Sequence, residues 1–538
     1  MKFSHRIADQ YLEFECESFR QDKDALILHG GKVSIQVPLR ITEYYKHGWQ
    51  SWSLSTWIDP GSPPVTSHPK PLIVLQSDQQ YSGLNHPHGS WMGAVTTIDG
   101  ITTFLGSLGF EAHVELKDNT LIGTYETGEG DWYLSLGEEQ TVFKGYITRI
   151  TKKLGKSKVT NAPKVWCSWY SMYEEICEDN LIKVIDDLVD YPIDVVQIDD
   201  GWQQKVGDWN ANSKFPSGMR FLANQIKRGG KIAGLWLAPF LVVPSSKLYI
   251  KHKDWLLLAD DGKPASAGFN WHEQLYALDT THPQVLNWIT NLMIKIRDWG
   301  FDYIKLDFLY AGALKGNRHQ NIPREAAFRL GLQTMREALG DAFLLTCGAP
   351  ILPSIGLSDA IRIGPDVSGS WSPYIENKLL RNYSVPSVQN AIRTSLNRLW
   401  LKPVVHTDPD VVYFQESGNS LSSRQKHQLR SLAKISNFKA TSEIPHLNTT
   451  MEKEELFSFF RENPQIYRTN KRHVYKINDQ LVDFVEDAFL LPKLNILELI
   501  LQKILYILSD HVIFLKIFGR INSCVRRRKI RKLLLKTL

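Results

Sequence analysis

Phe301-Asp-Tyr-Ile-Lys-Leu-Asp-Phe308 decides how the rest of the 538-residue chain is read. A short β-rich run ends at Asp307, where the chain turns polar, so a carboxylate stands at the end of a strand. Ala360-Ile-Arg-Ile-Gly-Pro-Asp-Val367 repeats the pattern, with Asp366 at the point where glycine and proline break the run. Lys305 lies two residues before Asp307, so on a strand both side chains point the same way. An ammonium there favours the ionised form of Asp307; a structural ion pair is the alternative reading. Arg362, four residues before Asp366, is placed to bind a hydroxyl or orient a carboxylate.

Working outward, the texture from about residue 164 is of apolar strands followed by helix-like segments. Strands are expected at Val165–Trp169, Asp194–Ile198, Ile232–Leu237, Tyr303–Leu306, Phe343–Cys347, Ala360–Ile363, weakly near Ser387–Gln389, and at Pro403–His406. Helical patterns such as Asn180–Val189 and Pro283–Arg297 lie between them. Parallel strands need a crossover after each, and repeated strand-helix units predict a (β/α)8 TIM barrel over 160–420. An open doubly wound sheet is the rival, without a GxGxxG after any strand to support it. Asp307 and Asp366 then end strands four and six, at the rim where barrels place their chemistry.

Residues 1–155 read as an all-β sandwich, with runs at Lys32–Pro38, Gly93–Ile98 and Thr141–Thr148 between Gly, Asn and Asp turns. Gly155-Lys-Ser157 is no phosphate loop, because Ile150 stands where the upstream Gly is needed. Helices and one hairpin are expected over 421–490, with Asn478-Asp479 as the hairpin turn. Residues 491–538 form an atypical apolar and basic tail. The fold class is therefore multidomain: a β-sandwich, a barrel and a short C-terminal region.

The +6 net charge misleads. Lys516–Leu538 holds nine Lys or Arg and no acid, so the total less these nine leaves −3 for the rest of the chain. Global charge thus gives no reason to expect a nucleic-acid partner. Charges at Glu498, Lys503, Asp510 and Lys516 argue against a membrane-spanning tail. A basic helix lying on a membrane surface is the less favoured reading of that tail, after a docking helix or sequence unrelated to the core. Five cysteines without metal spacing, and an N-terminus without an apolar h-region, lead us to expect a cytoplasmic protein.

Further chemistry gathers at Gln197-Ile-Asp-Asp-Gly-Trp202. Adjacent carboxylates Asp199 and Asp200 can accept hydrogen bonds from vicinal hydroxyls; metal ligation and helix capping are the rival readings. Asp408-Pro-Asp410 is a further acid pair with the same ambiguity. His86-Pro-His88 lacks a third ligand and reads as loop, and Cys347 in Thr346-Cys-Gly348 reads as packing or contact. Tryptophans beside turns, at Trp49, Trp52, Trp202, Trp209 and Trp236, suit the apolar face of a sugar.

In order along the chain, Val165-Trp-Cys-Ser-Trp-Tyr170, Gln197-Ile-Asp-Asp-Gly-Trp-Gln203, Gly207-Asp-Trp-Asn210, Lys214-Phe-Pro-Ser-Gly-Met219, Gly234-Leu-Trp-Leu-Ala-Pro239, Tyr303-Ile-Lys-Leu-Asp-Phe308 and Arg362-Ile-Gly-Pro-Asp366 resemble the α-galactosidases of glycoside hydrolase family 36. The resemblance covers about residues 30–450. It implies a retaining hydrolase of terminal α-galactose in small oligosaccharides, without cofactor or metal, in which Asp307 is the nucleophile and Asp366 the acid/base. It further implies that Asp199, Asp200, Trp236, Lys305, Cys347, Gly348 and Arg362 contact galactose, and that the segment carrying Trp49 and Trp52 reaches over the pocket. A galactosyl-transferring or α-N-acetylgalactosaminidase relative and an inactive carbohydrate-binding protein are the alternatives. Two departures stand out: a tail where strands are expected, and His406-Thr where Asn is expected before Asp408.

Overall fold

The computed structural model describes residues 1–7, 10–61, 77–81, 84–379, 381–489 and 495–509. The basic cluster Arg526–Lys532, Cys524 and the run Val512–Phe518 lie outside them.

Eight parallel strands form the central sheet: β1 (Val165–Cys167), β2 (Val195–Ile198), β3 (Ile232–Leu237), β4 (Tyr303–Leu306), β5 (Phe343–Thr346), β6 (Ala360–Arg362), β7 (His406–Asp408) and β8 (Ala440–Thr441). Strand order runs from β7 back to β1, with β8 beyond β1. The sheet is curled, and Val412, in the segment after β7, forms an isolated parallel bridge with Thr441 of β8, its amide donating to the Ala440 carbonyl. β1, β2, β4 and β6 are buried at every residue. This is why they read as apolar runs without alternation: both faces of a parallel sheet are covered.

Two of the expected strands are corrected. Ser387-Val-Gln389 is a helix start: the Ser387 hydroxyl accepts from the Asn390 amide and caps the helix Val388–Leu396. Pro403–Val405 is turn, and β7 begins only at His406. The eighth strand is Ala440–Thr441, so the parallel sheet continues past the expected boundary at 420. A two-residue strand carries no periodicity for a sequence reading to detect.

The N-terminal residues form two antiparallel sheets, of six and seven strands. Leu12, Phe14 and Ile35 of one sheet and Leu26, Leu105 and Trp132 of the other share a single apolar cluster, the arrangement that a β-sandwich requires. Thr141–Thr148 is a correction, since it lies on the helix Glu139–Leu154. That helix buries Val142, Phe143, Tyr146, Ile147 and Ile150, a spacing of three and four that outweighs the β-branched composition.

After the helices Ser423–Ser436 and Thr450–Arg461, each opened by a capping box, the hairpin Val474–Ile477 with Gln480–Asp483 turns at Asn478-Asp479. Ile466–Arg468 adds a third strand. The helix Ile496–Ser509 is held by Glu498, which accepts from Tyr374 Oη and Lys378 Nζ. Among the described residues no helix is long and apolar enough to cross a membrane.

Candidate active site

The C-terminal ends of the parallel strands bring the singled-out carboxylates into one neighbourhood. Asp307 follows β4 and is buried. Its Oδ2 accepts from Trp236 Nε1 at 3.0 Å and its Oδ1 from the Phe308 amide at 2.8 Å. Trp236 is on β3, where its backbone pairs with Lys305, so the adjacent strand supplies the donor. Phe308 takes a left-handed backbone (φ 53°), which turns the chain sharply after the carboxylate.

Lys305 departs from expectation. Its ammonium bonds Asp199 Oδ2 at 3.0 Å, both side chains being buried. Burial alone would lower its pKa, but Asp199, then Cys167 and Asp307, raise it well above the usual lysine value. Lys305 is therefore a permanent cation shared by Asp199 through a bond and by Asp307 through its field.

Asp199 Oδ2 also accepts from Gln197 Nε2 at 2.5 Å, and its Oδ1 from the Asp200 amide at 2.9 Å. Asp200 Oδ1 accepts from Gln203 Nε2 at 2.5 Å and Oδ2 from Trp271 Nε1 at 2.7 Å. Burial, and secondarily Glu174, lift the Asp200 carboxyl to about 7. Neither aspartate caps a helix; Lys305 bonds Asp199, and the Lys214 charge acts on Asp200. Among the described residues, the His, Asp or Glu groups that approach one another with metal-like spacing are Glu17, His29 and Glu129, in the N-terminal region. His29 is already committed there, its Nδ1 lying 2.9 Å from Asp131 Oδ1.

On the other side, Arg362 at the end of β6 divides its guanidinium among three carboxylates. Nη1 donates to Asp366 at 2.9 Å and Nε to Asp408 at 2.8 Å, while Nη2 lies 3.0 Å from Asp410 Oδ1. Asp408-Pro-Asp410 is thus the anchor of Arg362, which answers the ambiguity over that pair. Asp410 Oδ2 also accepts from the Val367 amide at 2.9 Å and from Tyr170 Oη. About 30% of the Asp366 side chain remains open. Desolvation lifts its pKa to about 7, the nearby Asp410 charge adding to this while Arg362 opposes it. The Asp307 charge also contributes, so the two strand-end acids sense each other.

Trp49 and Trp52 separate. Trp49 donates to Glu325 Oε1 at 3.0 Å with the Arg324 guanidinium over its ring, and is a packing residue. Trp52 lies 5.2 Å from the Phe308 ring, between centroids, and its indole nitrogen has no partner among the described residues. Cys347 is buried, and burial raises its thiol pKa before the Asp307 charge adds to the effect. His86 and His88 stay apart from all this, His86 bonding Glu115 while His88 opens a short strand.

Gly348 is required by space and by backbone. At φ 52° an added Cβ would lie 2.9 Å from Trp52 Cη2 and 3.0 Å from the Phe308 nitrogen. Gly348→Ala should therefore cost about 2–4 kcal/mol through overpacking and backbone strain. It should also raise KM by displacing Trp52. Differential scanning calorimetry and steady-state kinetics check both.

Trp271 escaped the sequence reading. It sits at the tip of the hairpin Ser266–Asn270 with Glu273–Ala277, and its ring lies 5.1 Å from Phe308 and 6.2 Å from Trp236. The only signal was an aromatic residue at a turn; its positive φ of 47° is visible only in the fold.

The melibiase family model matches residues 137–344. The α-galactosidase AgaA of Geobacillus stearothermophilus is 28% identical over 223 residues, 38% of this chain and 29% of that protein. The matched stretches span less than a third of the length of three curated α-galactosidases that the chain matches. Among solved structures, TtGalA, an α-galactosidase of Thermus thermophilus in complex with p-nitrophenyl α-D-galactopyranoside, is 38% identical with TM-score 0.86, covering 90% of this chain and 99% of that one. Its complex with stachyose gives 39% identity and TM-score 0.81, over 85% and 99%.

Proposed function

The chain belongs to the α-galactosidases of glycoside hydrolase family 36, and from that membership we propose that it is a retaining exo-α-galactosidase acting on terminal α-D-galactosyl residues of oligosaccharides. In this reading Asp307 attacks the anomeric carbon, forming a covalent galactosyl-enzyme as the glycosidic bond breaks. Asp366 gives its proton to the departing oxygen and then takes one from the water that releases galactose. The curled sheet is read as a (β/α)8 barrel preceded by a β-sandwich.

One observation carries the proposal: the two strand-end acids have unequal surroundings. Asp307 receives two N–H donors and lies beside the Lys305 cation, as a nucleophile that must be ionised requires. Asp366 is held at about 7, protonated often enough at neutral pH to act as an acid.

Asp199, Asp200 and Lys305 are proposed to read the 4- and 6-hydroxyls of galactose. Trp52, Trp236 and Trp271 supply aromatic surface, with Cys347, Gly348 and Arg362 completing the pocket. TtGalA in complex with stachyose supports an oligosaccharide substrate. The four described cysteines are unpaired, which supports a cytoplasmic location.

The test is a panel of p-nitrophenyl α-glycosides, with the first-formed sugar anomer followed by proton NMR. The galactoside should exceed the glucoside by about 10⁴-fold, because the wrong epimer leaves buried polar groups unpaired. The first galactose released should be the α anomer. Release of β-galactose would overturn the retaining mechanism, preference for the N-acetylgalactosaminide the substrate, and binding without turnover the enzyme.

A further inference from the structure

Arg398 is wholly buried yet has no carboxylate partner among the described residues. Its guanidinium instead donates to five backbone carbonyls. Nη2 reaches Gly48, Gln50 and Ser53, each at 2.9 Å; Nη1 reaches Ser51 at 2.5 Å and Ile363 at 3.1 Å. Four acceptors belong to the N-terminal loop that carries Trp52. The fifth lies three residues before Asp366.

We propose that Arg398 is a positioning residue, a tether through which the N-terminal domain's tryptophan loop and the Asp366 segment are held in one geometry for the reaction. The inference rests on the roles proposed above for Trp52 and Asp366.

The loop turns so tightly that a Cβ at Gly48 would stand 2.5 Å from Ser53 Cβ. Its carbonyls therefore point inward, where each needs a donor. Only a planar fork with several N–H groups can serve so many acceptors from one place; an ammonium on a flexible stem serves at most three. Burial draws the Arg398 pKa down to about 9, with the Tyr45 hydroxyl as the opposing influence. A charge so placed is unfavourable without hydrogen bonds; both terminal nitrogens supply them, while Nε has no partner among the described residues.

A purely local role would require acceptors on one segment. Here they lie on two, from the N-terminal and the parallel-sheet regions, and lead to Trp52 and to Asp366. The loop also docks independently: the Ser51 amide donates to the Ala349 carbonyl at 3.1 Å and the Ile351 amide to Trp49 at 3.0 Å. Those bonds fix the loop to the strand-five side and leave the Asp366 side to Arg398.

The experiment compares Arg398→Lys and Arg398→Gln with the parent and with Trp52→Ala. Each is assayed on p-nitrophenyl α-galactoside, whose leaving group needs little protonation, and on raffinose, whose leaving group needs an acid. Both folded Arg398 variants should raise KM by about 10-fold on both substrates, as displacement of Trp52 would. In single turnover, formation of the galactosyl-enzyme should slow by about 100-fold on raffinose but only a few-fold on the aryl galactoside, the signature of a misplaced acid. Trp52→Ala should raise KM without the leaving-group dependence.

Parent-like kinetics in a folded variant would overturn the tether, as would galactosyl-enzyme formation slowing by one common factor on both substrates with KM unchanged. If neither variant accumulates folded, amide exchange of the parent protein decides. Residues 48–53 and 363–367 should open together, and independent opening overturns the proposal. An error in the proposed function itself shows separately, as a parent enzyme that turns over neither galactoside.

Discussion

Asp307→Gly should lower turnover of p-nitrophenyl α-galactoside by about 10⁴-fold or more, the scale of losing a covalent nucleophile. Sodium azide should restore a measurable part of it, releasing β-galactosyl azide. The geometry gives the reason. Asp307 occupies the point to which Trp236 Nε1 and the Phe308 amide both donate, beside the Lys305 cation. Glycine leaves an anion-sized space facing those donors, and a small anion is what they attract. Attack from that side on an α-galactoside inverts the anomeric carbon once, hence the β product. An aryl leaving group is needed so that the test does not also depend on Asp366. Chromatography and NMR of the azide product check the result. An α-azide, or activity that survives the substitution unaided, assigns the nucleophile elsewhere.

The strand-end aspartates were legible because a parallel strand buried on both faces leaves an apolar run that stops abruptly at its polar rim, as Tyr303–Leu306 does before Asp307. Partnerships were not legible. That Lys305 and Asp307 share a face follows from spacing; that the ammonium bonds Asp199, 106 positions away, follows only from how β2 and β4 flank β3. Likewise Asp408 and Asp410 look like any acid pair until Arg362 is found between them and Asp366. β8 was missed since two residues give no period, and Ser387 was misread since β-branched composition hid a cap. Trp49 and Trp52 stand three apart in one motif with opposite fates, decided by Glu325 and Phe308 on other elements. Long-range contacts of this kind define sites and leave no local trace.

Asp366→Ala should behave in the complementary way. With raffinose its kcat should fall by about 10³–10⁴-fold, the usual worth of a well-placed general acid. With p-nitrophenyl α-galactoside the first step needs little protonation, so the galactosyl-enzyme should form quickly and then wait, because the same residue must activate water. A burst of nitrophenol followed by a slow steady rate is the expected trace. In the parent, desolvation, then Asp410, holds the Asp366 carboxyl at about 7, so its proton is available below that pH and lost as pH rises through it. The kcat for raffinose should therefore decline on the alkaline side of about pH 7, and Asp366→Ala should remove that limb. Azide distinguishes the two acids most directly. In Asp366→Ala it takes the place of water on the intact Asp307 ester and needs no base, so a second inversion gives α-galactosyl azide, opposite to the product from Asp307→Gly. Galactosyl-enzyme formation slowed equally on both substrates, or the same azide anomer from both variants, would mean that the two carboxylates do not divide the work as their surroundings indicate.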